Sequence, residues 1–299
     1  MPFSAVGEVV YGVATWHAHS HVGYGKLEPA DLPANPAEFP LAVRPWEREA
    51  EGIRTGTRQE VDVPLQLGPV KLAPYVLGEA AHWEEDLNQE EVTRLYGQAG
   101  LRSSLSFWKR DSLVQSRLFN LNGLSHEVTL EGDVFYADAD EDLDRFPLYD
   151  PLDDDAQEHF RRRFIPRTFG GMLPPQFDER SYALRTGMQG FVSAPSMEIA
   201  DDLTLARLGV SQRWQTKRGL PGQERIVDWI ALDVEGVLFP EADRDNFGEE
   251  LGLVDYDFRW HVGDRLAILS DGYYDFFPEG LRTISLGTLL SRPGRTERS

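Results

Sequence analysis

Apolar and polar residues alternate along most of this chain, and that period of two restricts it to extended structure. The segment VDYDFRWHV (254–262) places its aliphatic and aromatic residues on one face and Asp255, Asp257, Arg259 and His261 on the other. Successive side chains of a β-strand point to opposite faces, whereas a helix repeats every 3.6 residues. The same alternation recurs in segments 94–108, 126–138 and 204–216. The sequence therefore predicts an all-β, antiparallel fold.

Turn residues divide the rest of the chain into further strands. Clusters of Gly, Pro and Asn, such as LNG (121–123) and FPEG (277–280), mark the boundaries. The additional strands are predicted at roughly 8–24, 56–67, 70–83, 181–193, 225–239, 264–277 and 281–290. Together the segments predict a meander of about 10–12 amphipathic strands in one domain covering 1–299, with no amphipathic helix.

Three long loops are predicted to interrupt this meander, at about 27–55, 138–180 and 239–252. The second and third are acidic. Carboxylates in the runs 138–144 and 150–155 suit a hard cation such as calcium, although the glycine and spacing of an EF-hand loop are absent. A solvated acidic loop is the alternative interpretation of the same residues.

Composition narrows the classes of function. The formal net charge is −20, which repels nucleic-acid phosphates and argues against nucleic acid as a partner. No apolar run approaches the length of a membrane-spanning helix, but a membrane β-barrel has alternating strands and remains compatible. The N-terminus lacks the basic and apolar regions of a secretory signal. We therefore expect either an internal protein or a sequence that begins within a longer one.

The positions of the aromatic residues allow a second interpretation of the alternating pattern. A soluble β-sandwich or a viral structural protein accounts for one polar face per strand, because that face meets water. Tyr and Trp towards strand ends are also typical of the interfacial girdles of a membrane barrel. The residues that indicate such girdles are Trp83, Trp108, Trp214, Trp229, Trp260, Tyr273 and Tyr274.

The stretch HAHSH places His17, His19 and His21 at alternate positions, so that all three point the same way. Such a strand could present imidazoles to one metal ion, but a carboxylate or fourth ligand at recognisable spacing is missing. We expect these histidines to line the hydrated side of an early strand, with no metal and no cofactor bound. No nucleophile elbow or catalytic triad is present, which predicts a protein that is not an enzyme.

Several segments resemble the barrel region of the lipopolysaccharide-assembly outer-membrane proteins, also called organic-solvent-tolerance proteins. The resemblance rests on the serial order of strands and loops and covers most of the chain. The segments that carry it are LGPVKLAPYVLGEAAHW (67–83), RLYGQAGLRSSLSFW (94–108), LFNLNGLSHEVTLEGDVFYAD (118–138), PLYDPLDDDAQEHFRRRF (147–164), 208–249 and YDFRWHVGDRLAILSDGYYDFF (256–277).

The resemblance implies transport rather than chemistry, in the cell outer membrane. Such a protein receives lipopolysaccharide from periplasmic bridge proteins, is plugged by a small lipoprotein, and releases its cargo sideways into outer-membrane lipid. Polar residues facing the lumen would hydrate the phosphorylated sugar head while outward aromatics meet lipid. The lumen-facing residues expected here are Arg102, Glu127, Glu131, Arg207, Arg213, Asp257 and Arg259.

This chain departs from the family pattern in two ways. The periplasmic jelly-roll domain is not recognisable, and about a dozen strands are too few to close one of the largest known barrels. The resemblance therefore implies an incomplete barrel. The rival hypothesis is a soluble all-β structural or binding protein, such as a phage tail or baseplate component, that is stabilised by oligomerisation.

Overall fold

The computed structural model describes residues 3–10, 13–28, 34–35, 48–142, 145–147, 149, 200–219, 222–246, 248–263, 265–276 and 280–290. These residues form one 12-stranded sheet in which every neighbouring pair is antiparallel. The only helix among them is a single turn, α1 (Ala242–Asp245). The predicted all-β antiparallel fold is confirmed.

The strands follow in chain order as β1 (Phe3–Val10), β2 (Ala14–Leu27), β3 (Ala50–Asp62), β4 (Leu65–Leu67), β5 (Val70–Trp83), β6 (Val92–Ser116), β7 (Leu121–Ala139), β8 (Leu203–Arg218), β9 (Arg225–Leu238), β10 (Leu251–His261), β11 (Leu266–Asp275) and β12 (Gly280–Leu290). Each strand pairs with the next along the chain, except that β3 pairs with β5, which also pairs with β4. The pairs Asp62↔Tyr75 and Leu65↔Leu72 share one register, so β4 prolongs β3 along the same side of β5.

Several predicted strand boundaries are wrong. The turn predicted at LNG (121–123) lies at 117–120, and the strand predicted at 56–67 is divided between β3 and β4. The segment predicted as one strand at 8–24 is a hairpin, in which β1 ends at Val10 and β2 begins at Ala14. The loop predicted at about 27–55 ends early, because β3 already begins at Ala50. The alternating pattern at the start of β3 is interrupted in the sequence by Gly52, which has no side chain and adopts a φ of 153°.

Other predicted boundaries agree with the structure to within a few residues. The strands expected at 70–83, 225–239, 264–277 and 281–290 correspond to β5, β9, β11 and β12. The loop predicted at 239–252 contains α1 and ends where β10 begins. The strand predicted at 181–193, and most of the loop predicted at 138–180, lie outside the described residues.

The sheet bends towards one of its faces, and Gly100 on β6 permits the bend. Gly100 pairs with Tyr75 on one side and with Phe135 on the other. A Cβ at Gly100 would lie 2.6 Å from the Tyr75 hydroxyl oxygen and 2.7 Å from Phe135 Cβ. Opposed Cβ atoms in a regular sheet are about 4.5–5.5 Å apart. We call the inner side of this bend the concave face and the opposite side the convex face.

Candidate functional site

The concave face is buried and combines polar with apolar side chains, whereas the convex face is largely apolar and exposed. On β6, Arg94 and Gln98 point to the concave face and are 0% and 4% exposed. Leu95 and Leu101, on the convex side of the same strand, are 57% and 41% exposed. An antiparallel sheet in water normally buries its apolar side and leaves its polar side to solvent. This sheet departs from that pattern because its exposed face is apolar, and its buried face contains charged residues beside an apolar core.

The apolar convex face extends across the strands rather than forming one patch. Cross-strand pairs such as Leu101↔Val134 and Val210↔Val234 continue it from β6 to β9. Its exposed members include Tyr24, Ile53, Val76, Leu95, Leu101, Phe107, Leu130, Val134, Tyr136, Leu208, Ile284 and Leu286. Isolated exposed hydrophobic residues need no explanation, but a contiguous surface of this extent indicates contact with an apolar environment or partner. Among the described residues, no helix is long and apolar enough to cross a membrane.

The aromatic residues expected at interfaces occupy different environments. Trp108 and Tyr274 are exposed. Trp214 stacks on His126 with ring centroids 4.4 Å apart, and Trp229 and Trp260 each lie about 6 Å from Phe119. The interfacial position predicted for Trp83 is wrong, because its side chain is fully buried on the concave side. Alternation alone misassigned it, since Trp83 ends a strand whose concave residues are partly apolar. The Tyr273 side chain lies outside the described residues.

A buried ionic cluster occupies the concave face of β3, β5 and β6. Glu79 accepts hydrogen bonds from Arg58 and Arg94 at 2.6 Å each, and the side chains of Glu79 and Arg94 are fully buried. The Arg94 guanidinium also donates to the Ala200 carbonyl oxygen at 3.1 Å. Two guanidinium groups around one carboxylate satisfy the charge that burial would otherwise make very unfavourable. We refer to Arg58, Glu79 and Arg94 as the ionic cluster.

A loop segment after β7 covers the ionic cluster. Phe146 is buried, with its ring centroid 4.4 Å from that of Trp83 and 4.9 Å from the Arg94 guanidinium carbon. Tyr149 packs on Gly25 of β2, where a Cβ would lie 2.6 Å from the Tyr149 ring. Glycine at position 25 therefore makes room for this ring. We refer to residues 145–147 and 149 as the cover segment.

The turn between β5 and β6 anchors the cover segment through Asp86. The Asp86 carboxylate accepts hydrogen bonds from the Asn88 and Glu90 backbone N–H groups and from Arg145 Nε and Nη2. Leu87 N–H in turn donates to the Arg145 carbonyl oxygen. Burial alone would raise the pKa of Asp86, but the backbone hydrogen bonds from Glu90 and Asn88 and the Arg145 guanidinium outweigh it and lower the pKa below its ordinary value.

Farther along the concave face lies an open cavity of about 480 Å³. It combines Lys71, Arg102 and Arg207 with the carboxylates of Glu131, Asp133 and Glu235 and with Ser104. Arg102 stacks over the Tyr75 ring at 3.9 Å and donates to Glu60 Oε1 at 2.6 Å. A cavity lined by both charge signs can hydrate and hydrogen-bond a polar group, but it carries no excess of positive charge.

The structure places all seven residues predicted to face a lumen on the concave face. Cross-strand pairs place these residues on one face between β6 and β10. The pairs are Arg102↔Asp133, Asp133↔Arg207, Glu127↔Arg213 and Ala231↔Arg259. Arg102, Glu131 and Arg207 line the cavity, whereas Glu127, Arg213, Asp257 and Arg259 lie outside it.

Each of the four predicted arginines has an acidic partner. The ion pairs are Arg102–Glu60 at 2.6 Å, Arg207–Glu235 at 3.1 Å, Arg213–Asp233 at 2.9 Å and Arg259–Asp257 at 2.9 Å. Sequence reasoning missed the partners Glu60, Asp233 and Glu235, and the whole ionic cluster. The alternation that identified the seven residues extends to these positions, so it could have found them.

One row of the concave face is acidic across three adjacent strands. Asp233, Asp257 and Asp271 are direct cross-strand neighbours on β9, β10 and β11. Like charges directly opposed across strands are unfavourable. Arg213 and Arg259 offset part of this repulsion by contacting Asp233 and Asp257.

The three alternate histidines lie on the same side of the sheet as these charges. His17 is opposite Glu60, and His19 is opposite Arg58. His17 Nε2 is 3.1 Å from Asp62 Oδ1, and the rings of His19 and His21 have centroids 6.0 Å apart. Within the part of the chain that the structure describes, no group of three His, Asp or Glu side chains is arranged to hold a metal ion.

Comparison with known proteins assigns no family to this chain. No protein-family model and no curated protein sequence matches the chain.

Proposed function

We propose that this chain forms part of the wall of an outer-membrane β-barrel. The convex face would contact hydrocarbon, and the concave face would surround water. The observation that carries the proposal is the apolar exposed face, which presents residues such as Leu95 and Leu101 to the surroundings while the opposite face buries Arg94 and Gln98. Lipid-facing apolar residues that alternate with lumen-facing polar residues are the pattern of transmembrane barrels.

The dimensions of the convex face support this assignment. On β6 the apolar positions run from Leu95 to Phe107. At a rise of about 3.4 Å per residue this stretch is about 40 Å long, and a strand tilt of about 45° reduces its height to about 28 Å. The apolar band of a transmembrane barrel is about 25 Å tall. Beyond it on the same face, the exposed Lys109 provides a charged boundary.

We further propose that the barrel moves lipopolysaccharide, in partnership with a plug lipoprotein and periplasmic bridge proteins. The order of segments in the sequence supports this cargo, and the mixed-charge cavity at Arg102 and Arg207 offers polar contacts to a sugar head. Because each of these arginines already has a carboxylate partner, a phosphate would have to exchange with Glu60 or Glu235.

A matched pair of substitutions tests membrane insertion. Ala99 is exposed on the convex face of β6, and Ala73 is on the concave face of β5, opposite Arg102. Ala99→Arg puts a charge into hydrocarbon, which costs about 2–4 kcal/mol at the membrane midplane. Ala73→Arg leaves the charge in the hydrated interior. We expect Ala99→Arg, but not Ala73→Arg, to abolish the heat-modifiable gel migration of protein folded into detergent micelles.

A soluble protein would tolerate Ala99→Arg, because an exposed Ala→Arg change in water alters stability by about 0.5 kcal/mol or less. A wild-type chain that forms a monodisperse ring in detergent-free buffer would contradict the proposal and favour the structural-protein alternative. The cargo is tested separately, by photo-crosslinking lipopolysaccharide from a probe at Ser104. Absence of that crosslink in a correctly inserted protein would contradict the transport assignment only.

A further inference from the structure

The two ends of the sheet differ in the lengths of their connections. In an antiparallel meander, successive connections alternate between the ends. One end, the short-turn end, carries the connections 11–13, 63–69, 117–120, 219–224 and 262–265. The other end, the long-loop end, carries 28–49, 84–91, 140–202, 239–250 and 276–279.

The short-turn end is basic although the whole chain has a formal net charge of −20. We use the term basic rim for six exposed cations there: Lys109, Arg110, Arg117, Lys217, Arg225 and Arg265. Among the described residues of this end, two exposed acids lie near these cations, and the carboxylate of each accepts a backbone hydrogen bond. Asp111 Oδ1 accepts from Leu113 N–H at 2.9 Å, and Glu224 Oε2 accepts from Gly222 N–H at 3.1 Å.

Pairing distinguishes the basic rim from the cations of the long-loop end. At that end Lys26, Arg145 and Arg244 form ion pairs with Glu28, Asp86 and Asp245. Across the described residues, the rim cations make no ion pair. Cations gathered along one end of the sheet repel one another, and anions from outside the chain can compensate that repulsion.

Exposed apolar residues are interleaved with these cations. Phe107 precedes Lys109 by two positions, Ile226 follows Arg225, Leu266 follows Arg265 and Leu118 follows Arg117. All four apolar side chains are exposed, with Ile226 at 68% and Leu118 at 82%. An acidic soluble partner would neutralise the cations and leave these apolar groups in water. A membrane surface accommodates both, because acyl chains meet the apolar residues and head groups meet the cations.

We propose that the basic rim binds anionic phospholipid head groups in the leaflet at the short-turn end. This inference rests on the proposed membrane location of the sheet and fixes which end meets an anionic leaflet. Its ligand chemistry is a phosphodiester carrying an acyl chain. Successive residues such as Lys109 and Arg110 point to opposite faces of the sheet, so these cations act as a shared positive surface and not as paired clamps.

Equilibrium binding in detergent micelles tests the inference. The probes are dihexanoylphosphatidylglycerol, dihexanoylphosphatidylcholine and inorganic phosphate, titrated into the folded full chain and followed by calorimetry. We expect phosphatidylglycerol to bind more tightly than phosphatidylcholine or free phosphate. Removing two rim cations, in Lys109→Gln/Arg110→Gln or in Lys217→Gln/Arg225→Gln, should weaken that binding about 10- to 30-fold.

The matched control removes two exposed cations at the other end, in Lys26→Gln/Arg48→Gln, and should leave phosphatidylglycerol affinity within about twofold. Equal binding of phosphatidylglycerol and phosphatidylcholine would overturn the inference, as would an equal loss in the control. Phosphate binding as tight as the lipid would indicate a free-anion site and would also overturn it. Heat-modifiable migration of each variant is recorded alongside, so that a failure of membrane insertion is distinguished from a failure of lipid recognition.

Discussion

The concave face contains two regions that share one pattern of alternation but differ in their access to water. Over β3, β5 and β6 the ionic cluster lies beneath the cover segment, and the Arg94 and Glu79 side chains are fully buried. Over β8, β9 and β10 the pairs Arg207–Glu235 and Arg213–Asp233 remain about one-third exposed. The strands supply charged residues in both regions. The difference comes from Phe146 and Tyr149, which cover only the first.

This contrast separates two uses of charge. Ion pairs that keep contact with water contribute little to stability and remain free to exchange partners. A buried charge whose partner is removed destabilises the fold strongly, because no water replaces that partner. We therefore expect the covered region to fix the sheet and the open region to meet whatever enters the concave side.

Removing one acid from each region should give the largest difference between them. Glu79→Ala removes the carboxylate that lies between Arg58 and the buried Arg94 and should lower the free energy of unfolding by about 3–5 kcal/mol. Glu235→Ala, whose partner Arg207 is partly exposed, should lower it by less than about 1 kcal/mol. Guanidinium unfolding of the micelle-folded protein measures both. Equal losses would mean that burial does not distinguish the two regions.

The cover segment itself can be loosened through Phe146. Phe146→Ala removes a buried ring from Trp83 and should cost about 3–4 kcal/mol. It should also open the concave side at Ala81, which is 2% exposed. Because the chain has no cysteine, maleimide labelling of Ala81→Cys reports this opening without background. The control Leu118→Ala, at an exposed position, should leave the labelling rate unchanged; a similar increase in both would contradict the assignment.

Glycine substitutions on β2 provide a smaller and more local test. Gly25→Ala forces Tyr149 away from the strand and should destabilise the protein by about 1–3 kcal/mol. Gly23→Ala, two residues earlier on the same face, meets no atom within 4 Å and should change stability by less than about 0.5 kcal/mol. Unfolding midpoints of the two variants compare them directly. If Gly23→Ala were the more damaging variant, the cover segment would not rest on Gly25.

The smallest expected effect is the pH dependence of stability that comes from Asp86, which anchors the cover segment. The pKa of Asp86 is lowered in the folded state, so its contribution to stability is present above the unfolded value of about 3.9 and is lost as pH falls through the folded value. Asp86→Asn should remove this part of the acid sensitivity and cost about 1 kcal/mol near neutral pH. Unfolding midpoints at pH 6 and pH 3 test it. An unchanged pH dependence in Asp86→Asn would exclude Asp86 as a source.

The sequence predicted the open region of the concave face better than the covered one. Alternation places Arg207, Arg213 and Asp257 correctly, because each strand there follows a simple period of two. It could not reveal that Phe146 returns to pack on Trp83, since that contact joins residues far apart in the chain. The same limit explains why Trp83 was assigned to an interface. The hairpin at β1 and β2 was missed because its turn breaks the alternation only briefly.

The order of the strands determines how the two edges of this sheet could join into a ring. Because every neighbouring pair is antiparallel and the path from β1 to β12 has an odd number of members, its first and last strands run in the same direction. A ring made by joining them directly would contain one parallel seam, where the hydrogen bonds are slanted and slightly weaker. A single extra strand inserted there would be antiparallel to both neighbours and would restore the even count of bacterial outer-membrane barrels.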